Sequence, residues 1–269
     1  ACTAVDVVFD VGTSFNVHQK SAWRAIHEYG TRWVSVEPNQ RVLASPAATC
    51  DLEIIRKITR IVKDKIAGYT LHVTCEAGTD LTYKALVEDV GGAALDLAQI
   101  PGTWGVFPAG VVHVNPMYGS ANGVVYFDAV YKIPGGLKGM GGVHQRWVVK
   151  DSWVTEISGG GAEILKKAQE NKKNANYFSE GSIGTNPLAE ILLDGGHLFD
   201  SRHAGVMHMA VGDERLSGSR ISSGIHWDNL ILKPTLTVVE TGEVIIKEGY
   251  LLALDELTED EKRHLGLAS

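Results

Sequence analysis

Near the C-terminal end of the chain, His226-Trp227-Asp228 sets an imidazole and a carboxylate two residues apart. On a strand, alternation sends both polar side chains to one face and Trp227 to the other, so a ring nitrogen and a carboxylate oxygen can converge on one cation. Alone, the pair also fits an exposed or hydrogen-bonded histidine. Its neighbours add weight to the metal reading. The run Gly205 to Gly212 carries His208 inside an apolar, strand-like segment, where an unpartnered imidazole is costly to bury. The run Tyr177 to Pro187 carries Glu180 directly ahead of a glycine-rich turn closed by Asn186-Pro187. Glu180, His208, His226 and Asp228 are all ligand types for zinc, iron or manganese. Singly, each keeps an ordinary structural reading, Glu180 as a turn cap and His208 as a satisfied core histidine.

The elements that would position these groups begin with Val5 to Val11, an apolar run that reads as a buried strand. Gln19 to Tyr29 reads as a helix ending at Gly30, and Thr31 to Val36 as a second strand stopped by Glu37-Pro38. Asp51 to Lys65 reads as a helix, with Leu52, Ile55, Ile58 and Val62 at helical spacing and Asp51 as its N-cap. After Gly68 the pattern changes to short alternating strands broken by glycines: Leu71 to Glu76, Gly110 to Pro116, Gly123 to Tyr131 and Trp147 to Ile157. A helix over Ala162 to Glu170 follows Gly159-Gly160-Gly161, a triple glycine that lacks the spacing of a phosphate cradle and reads as a turn. Thr258 to Leu265 reads as a charged surface helix. The predicted fold class is an α/β N-terminal segment, residues 1–69, followed by a strand-rich α+β metal-binding domain, residues 70–269.

At 269 residues and 44% hydrophobic content, the chain can bury one large core or two modest ones. A formal charge of -7, with no basic run and no clustering of Lys/Arg with aromatics, argues against a nucleic-acid or anionic-membrane partner. No apolar stretch reaches the roughly 18 residues of a membrane span, and no signal-peptide pattern opens the sequence. Cys2, Cys50 and Cys75 are far apart, which fits reduced thiols of a cytoplasmic enzyme better than a disulfide framework. His113, His144, His197 and His203 are further candidates to line a pocket. His113 leads because it shares a strand face with Val111, although an ordinary structural role is the simpler reading for each.

A family resemblance rests on these same segments. Glu180-Gly181-Ser182-Ile183-Gly184-Thr185-Asn186-Pro187, then His208 to Gly212, then Ser223 to Asp228 resemble in order and spacing the C-terminal signature of the aminopeptidase T family of metallopeptidases. Asp200 to Gly212 and Gly119-Ser120-Ala121-Asn122-Gly123 also look like family segments, so the likeness spans most of residues 70–240. In that family the positions matching Glu180, His208, His226 and Asp228 are ligands of a two-metal site. Two positions depart from it. Val111 follows Pro108-Ala109-Gly110 where the peptidases carry a glutamate, and Arg215 stands where they carry a tyrosine. A valine cannot bridge two cations and offset their repulsion.

The 2,5-dihydroxypyridine dioxygenases, a branch of single-iron ring-opening enzymes without that glutamate, are the nearer resemblance. Trp104 to Pro116 and Ala77-Gly78-Thr79-Asp80 are similar to segments of that branch. The resemblance implies His226 and Asp228 as iron ligands, with Glu180 at the place of the branch's remaining histidine ligand and His208 as a fourth ligand or an orienting neighbour. It also implies His18, in the loop after the first strand, as the base that deprotonates a substrate hydroxyl. The expected function is a mononuclear non-haem Fe(II) dioxygenase that cleaves a hydroxylated aromatic or N-heterocyclic ring such as a dihydroxypyridine. Its partners would be that small ring and O2, with Zn, Mn or Co as other candidates for the ion. A metal-dependent aminopeptidase or amidohydrolase is the alternative, and a non-catalytic small-molecule binding protein the third. A homo-oligomer stays open. Both relatives carry a longer N-terminal domain ahead of the segment matching Val5, so the abrupt first strand is expected to be the remainder of such a domain.

Overall fold

The computed structural model describes residues 2–11, 17, 19–37, 39–92, 100–130, 140–193, 198–214 and 221–267. Strand β1 (Val7–Asp10) lies parallel to β2 (Arg32–Val36), and the helix between them, α1 (Lys20–Tyr29), buries Ala22, Ala25 and Ile26. Ala22 and Ile26 pack with Val17 and Trp33. The helix ends where the sequence places its stop: Gly30 takes φ 70 and donates its N–H back to the last turn. A third parallel strand, β5 (Trp104–Phe107), pairs with β2, giving the order β1-β2-β5.

Two short helices, α2 (Gln40–Leu43) and α3 (Pro46–Thr49), lead into α4 (Leu52–Ile66). Asp51 caps α4 by accepting the Glu53 N–H at 2.9 Å. Ile54, Ile55, Ile58, Val62 and Ile66 form its buried stripe and pack into the core of a second, much larger sheet.

Among the described residues, that sheet is antiparallel throughout and has twelve strands. They are β3 (Thr70–Thr74), β4 (Asp80–Gly92), β6 (Val111–Pro116), β7 (Asn122–Val130), β8 (Met140–Lys150), β9 (Trp153–Gly159), β10 (Phe178–Gly184), β11 (Met207–Glu214), β12 (Ile221–Ile231), β13 (Thr235–Val238), β14 (Val244–Lys247) and β15 (Tyr250–Leu251). Their order is β15-β14-β13-β3-β4-β6-β10-β11-β12-β7-β8-β9. A further pairing of β4 with β7 brings the run from β4 to β7 back on itself, so those strands close a barrel. Helix α5 (Ala162–Asn171) follows β9, and α6 (Glu259–His264) near the C-terminus opens with a Thr258–Glu261 capping box.

The chain is therefore a strand-rich mixture of α and β dominated by an antiparallel sheet. Elements from either side of residue 69 share both layers, since β5 completes the parallel sheet and α4 packs on the large one. One expected strand divides. Trp147 to Ile157 is a hairpin, β8 and β9, turned by Asp151 (φ 50) and Ser152 (φ 66). Two successive left-handed residues match the right-handed twist of flanking strands, and an Asp-Ser pair is a weaker signal of that turn than Asn-Gly. Among the described residues, no helix is long and apolar enough to cross a membrane, and Cys2, Cys50 and Cys75 are free thiols.

Candidate metal centre

Four adjacent barrel strands, β6, β10, β11 and β12, place the candidate residues on one face. Strand register aligns Glu180 with Ala210 and Ala210 with Asp228. One step along, Ser182 pairs with His208; one step the other way, Gly212 pairs with His226. On β6, Ile183 pairs with Val112 and Gly184 with Val111, so continuing that antiparallel register sets His113 beside Ser182. Alternation sends Val112, Ile183, Met207, Met209, Val211 and Trp227 to the opposite face, where they join the main core. Polar chemistry on one side and apolar packing on the other follow from the same period of two.

Small residues leave room for the long ones to converge. Ala210 lies between Glu180 and Asp228, and Gly212, at φ 107, lies opposite His226, where an added Cβ would come within 2.2 Å of the Ile225 carbonyl. A bulge between Phe178 and Glu180 resets the register of β10 just before the carboxylate. Gly181 lets Tyr83 pack beneath it, with the Tyr83 hydroxyl donating to the Gly181 carbonyl at 2.8 Å.

Glu180 is the hub. Its Oε1 lies 2.8 Å from His208 Nε2, 3.0 Å from His113 Nδ1 and 2.5 Å from the Ser182 hydroxyl. Its Oε2 lies 3.3 Å from His226 Nε2, which is also 3.1 Å from Asp228 Oδ1. The other ring nitrogen of His226, Nδ1, donates to the Asp213 carbonyl at 2.7 Å, which turns Nε2 toward the carboxylates. Glu180, His208 and Asp228 are all buried, at 5%, 4% and 1% exposure. Burial alone would raise the Glu180 pKa. The His208 charge and hydrogen bonds from His113, His208 and His226 outweigh it and hold the carboxyl well below its usual range. Burial likewise opposes charge on His226, but Asp228 and Glu180 raise that imidazole well above its ordinary value. For Asp228, burial is outweighed mainly by His226, and its pKa is lowered.

These groups form the floor of a recess of about 390 Å³, part of it open to solvent. Val17, Trp104, Val106 and Val111 supply an apolar wall, and Ser201 and the buried Arg202 also line it. The Trp104 and His113 ring centroids lie 4.8 Å apart. The wall comes from the parallel sheet: Trp104 and Val106 are on β5, and Val17 lies between β1 and α1. Glu37 and Pro108, directly after β2 and β5, meet at Arg202, whose Nε donates to the Pro108 carbonyl at 2.8 Å and whose Nη2 lies 3.9 Å from Glu37 Oε2. The recess thus opens where parallel strands deliver their carboxyl ends, a common location for ligands in α/β sheets.

Two sets of side chains offer ligand atoms lying within 4.8 Å of one another: His113, Glu180 and His208, and Glu180, His226 and Asp228. Asp228 Oδ2, His208 Nδ1 and His113 Nε2 are buried without a hydrogen-bond partner. Mixed imidazole and carboxylate donors, an unpartnered buried carboxylate oxygen and a preset His226 orientation fit a divalent cation such as iron, manganese or zinc.

All four expected ligands, Glu180, His208, His226 and Asp228, are brought together. His113 joins them, although an ordinary structural role is the simpler reading of its sequence; its alternation with Val111 is the available signal, and only the pairing of β6 with β10 makes it decisive. His203 instead approaches the Ala189 carbonyl, and His144 lies on β8. His18, Arg215 and His197 lie outside the described residues, although Val17, next to His18, reaches the recess.

Comparison with known proteins gives this geometry a context. Solved structures share the fold, two of them as follows. The 2,5-dihydroxypyridine dioxygenase of Pseudomonas putida KT2440 is 22% identical, with a TM-score of 0.73 over 97% of this chain and 74% of that one. Wild-type AmpT of Thermus thermophilus is 19% identical, with a TM-score of 0.59 over 87% of this chain and 68% of that one. No curated protein sequence matches the chain. The family model for NicX, 2,5-dihydroxypyridine 5,6-dioxygenase, matches residues 1–190, which takes in His113 and Glu180 and ends before His208. With that match covering well over half of its length, the chain belongs to the 2,5-dihydroxypyridine 5,6-dioxygenase family.

Proposed function

We propose that the protein is a metal-dependent, ring-cleaving dioxygenase acting on a small hydroxylated aromatic or N-heterocyclic ring, of which a dihydroxypyridine is the type. The observation that carries the reading is the convergence of Glu180, His226 and Asp228 at the foot of a recess walled by Trp104, Val106 and Val111. Family membership supports the reaction class.

Glu180, His226 and Asp228 hold the ion, with His208 beside them. Fe(II) is the favoured metal, because it supplies the one-electron chemistry that a closed-shell ring and dioxygen require. The chain's own residues do the rest. The apolar wall orients a planar ring edge-on to the cluster and keeps water from its faces. Asp213 fixes the direction of His226 through its backbone carbonyl. We assign to His18, the residue that follows Val17 in the sequence, the role of accepting the proton of a ring hydroxyl, a task that suits an imidazole at neutral pH.

Metal analysis and oxygen uptake test the reading together. Purified protein is expected to hold iron and to consume O2 with 2,5-dihydroxypyridine. His226→Ala loses the metal. His18→Ala keeps it and lowers turnover by about 10²–10⁴-fold, the usual worth of a positioned base; unchanged turnover would remove His18 from the mechanism. A metal-dependent hydrolase is the second reading, favoured by the way His208 joins the other three ligands. Release of N-terminal residues from peptides, with no oxygen uptake, would establish it in place of the first.

A further inference from the structure

The Phe107–Gly110 crossing that joins β5 to β6 has a valine of the recess wall at each end, Val106 and Val111, buried at 4% and 2% exposure. The backbone that holds them has no slack. Every carbonyl of the crossing accepts a hydrogen bond: Phe107 from the Glu37 N–H, Pro108 from Arg202 Nε, Ala109 from Asn186 Nδ2 and Gly110 from the Thr185 N–H. A Cβ added at Gly110 would lie 2.4 Å from Asn186 Cβ, and one at Gly184, which pairs with Val111, 2.1 Å from the His203 carbonyl. Val106 is paired in turn with Ser35 on β2. A valine is stiff at χ1, so on a fixed backbone its methyls stay in one place. Trp104 and His113, by contrast, are only half-buried, so the recess runs from an outer end beside their rings to a closed inner end at the valines.

We propose that Val106 and Val111 determine specificity by limiting the width of the ring that the recess accepts. The inference rests on the preceding reading in seating a hydroxylated ring edge-on to Glu180, His226 and Asp228. A ring so placed turns one flank to the inner end. Carbon added to that flank meets methyls that cannot retreat, and the overlap is penalised as overpacking is in a core. The substrate class is accordingly a single six-membered ring that is bare on its inner flank.

Two widened rings test this. In 1,4-dihydroxyisoquinoline a benzene ring is fused to the 3,4 bond of 2,5-dihydroxypyridine, and 5-hydroxy-1-methyl-2-pyridone carries a methyl on the nitrogen flank; both leave the 5,6 bond unchanged. Dissociation constants for all three rings are measured by tryptophan fluorescence, without oxygen, on the chain loaded with Mn(II). At least one widened ring is expected to bind about 10–200-fold more weakly than 2,5-dihydroxypyridine, the usual effect of one methylene too many in an apolar pocket. Val106→Ala or Val111→Ala is expected to recover at least about tenfold of that ratio. Val112→Ala, which removes the same methyls from the core face of β6, is expected to recover none of it.

The proposal falls if both widened rings bind as tightly as 2,5-dihydroxypyridine, if neither truncation changes the ratio, or if Val112→Ala restores it equally. Should the truncations not fold, Val106→Ile and Val111→Ile decide: the added methyl enters the recess and weakens binding of 2,5-dihydroxypyridine itself, and unchanged affinity in both overturns the proposal. A chain that binds none of the three rings overturns it as well. Failure of the dioxygenase reading shows separately, as absent oxygen uptake by the iron-loaded chain with the binding ratios unaffected.

Discussion

A single carboxylate, Glu180, ties together three imidazoles from three other strands, and in the metal-free protein its charge must be reconciled with nearly complete burial. The pH dependence of stability follows from the direction of each shift. Glu180 and Asp228 have depressed folded pKa values, so their contribution is complete above the ordinary carboxylate range, about 4, and is lost as pH falls through the lowered values. His226 is raised, so its contribution is complete below about 6.5 and is lost as pH rises through the raised value. Chelator-treated protein should therefore melt highest between about pH 4.5 and 6.5 and lose stability on both sides. His226→Gln should flatten the alkaline decline specifically; an unchanged alkaline limb in a scanning-calorimetry series would show that this imidazole is not the group responsible. At this scale the sequence was informative, because ligand types in strand-period spacing carry their chemistry with them. His113 was the exception: its role depends on lying across from Ser182, and strand register is a long-range property that local spacing does not encode.

Among the elements, helices announced themselves better than sheet partners. The α4 stripe and its Asp51 cap, and the Gly30 stop of α1, are local signals, and they stand where the sequence put them. The β8–β9 hairpin was hidden because Val148, Val149 and Val154 continue an apolar run across a turn of Asp151 and Ser152, neither a strong breaker. The two turn residues do different work. Ser152 is fully buried; its hydroxyl accepts the Ala121 N–H at 3.1 Å, while its own N–H donates to the Ala121 carbonyl at 2.8 Å. Asp151 is exposed and merely adopts the left-handed conformation. Ser152→Ala should cost about 1–3 kcal/mol in urea unfolding, the penalty of stranding a buried donor. Asp151→Gly should change stability by less than about 1 kcal/mol, since relief of a positive φ is balanced by added freedom in the unfolded chain. Equal effects at the two positions would mean that the turn conformation, and not the Ser152 hydroxyl, holds the hairpin to β7.

For the molecule as a whole, the recess exists because a small parallel sheet stands against one face of a barrel, and the Phe107–Gly110 crossing joins them. That crossing is pinned from several directions. Glu37 N–H donates to the Phe107 carbonyl at 2.9 Å, Arg202 Nε to Pro108 at 2.8 Å, Asn186 Nδ2 to Ala109 at 2.9 Å and Thr185 N–H to Gly110 at 2.9 Å. Asn186 is the central pin, fully buried, with its own Oδ1 accepting the Leu188 N–H at 3.0 Å. In the sequence it is visible only as half of an Asn-Pro turn; its grip on Ala109 spans 77 positions and belongs to the tertiary fold alone. Asn186→Ala strands the buried Ala109 carbonyl and the half-buried Leu188 N–H, at a cost of about 1–3 kcal/mol that comes mainly from the carbonyl. Because the candidate ligands sit on β6, β10, β11 and β12, whose own pairing does not involve this side chain, metal content should be kept while ring affinity falls as the Trp104 wall loosens. Denaturant unfolding, metal analysis and ring titration on one preparation check this. Loss of the ion together with the ring would show that the crossing supports the cluster itself.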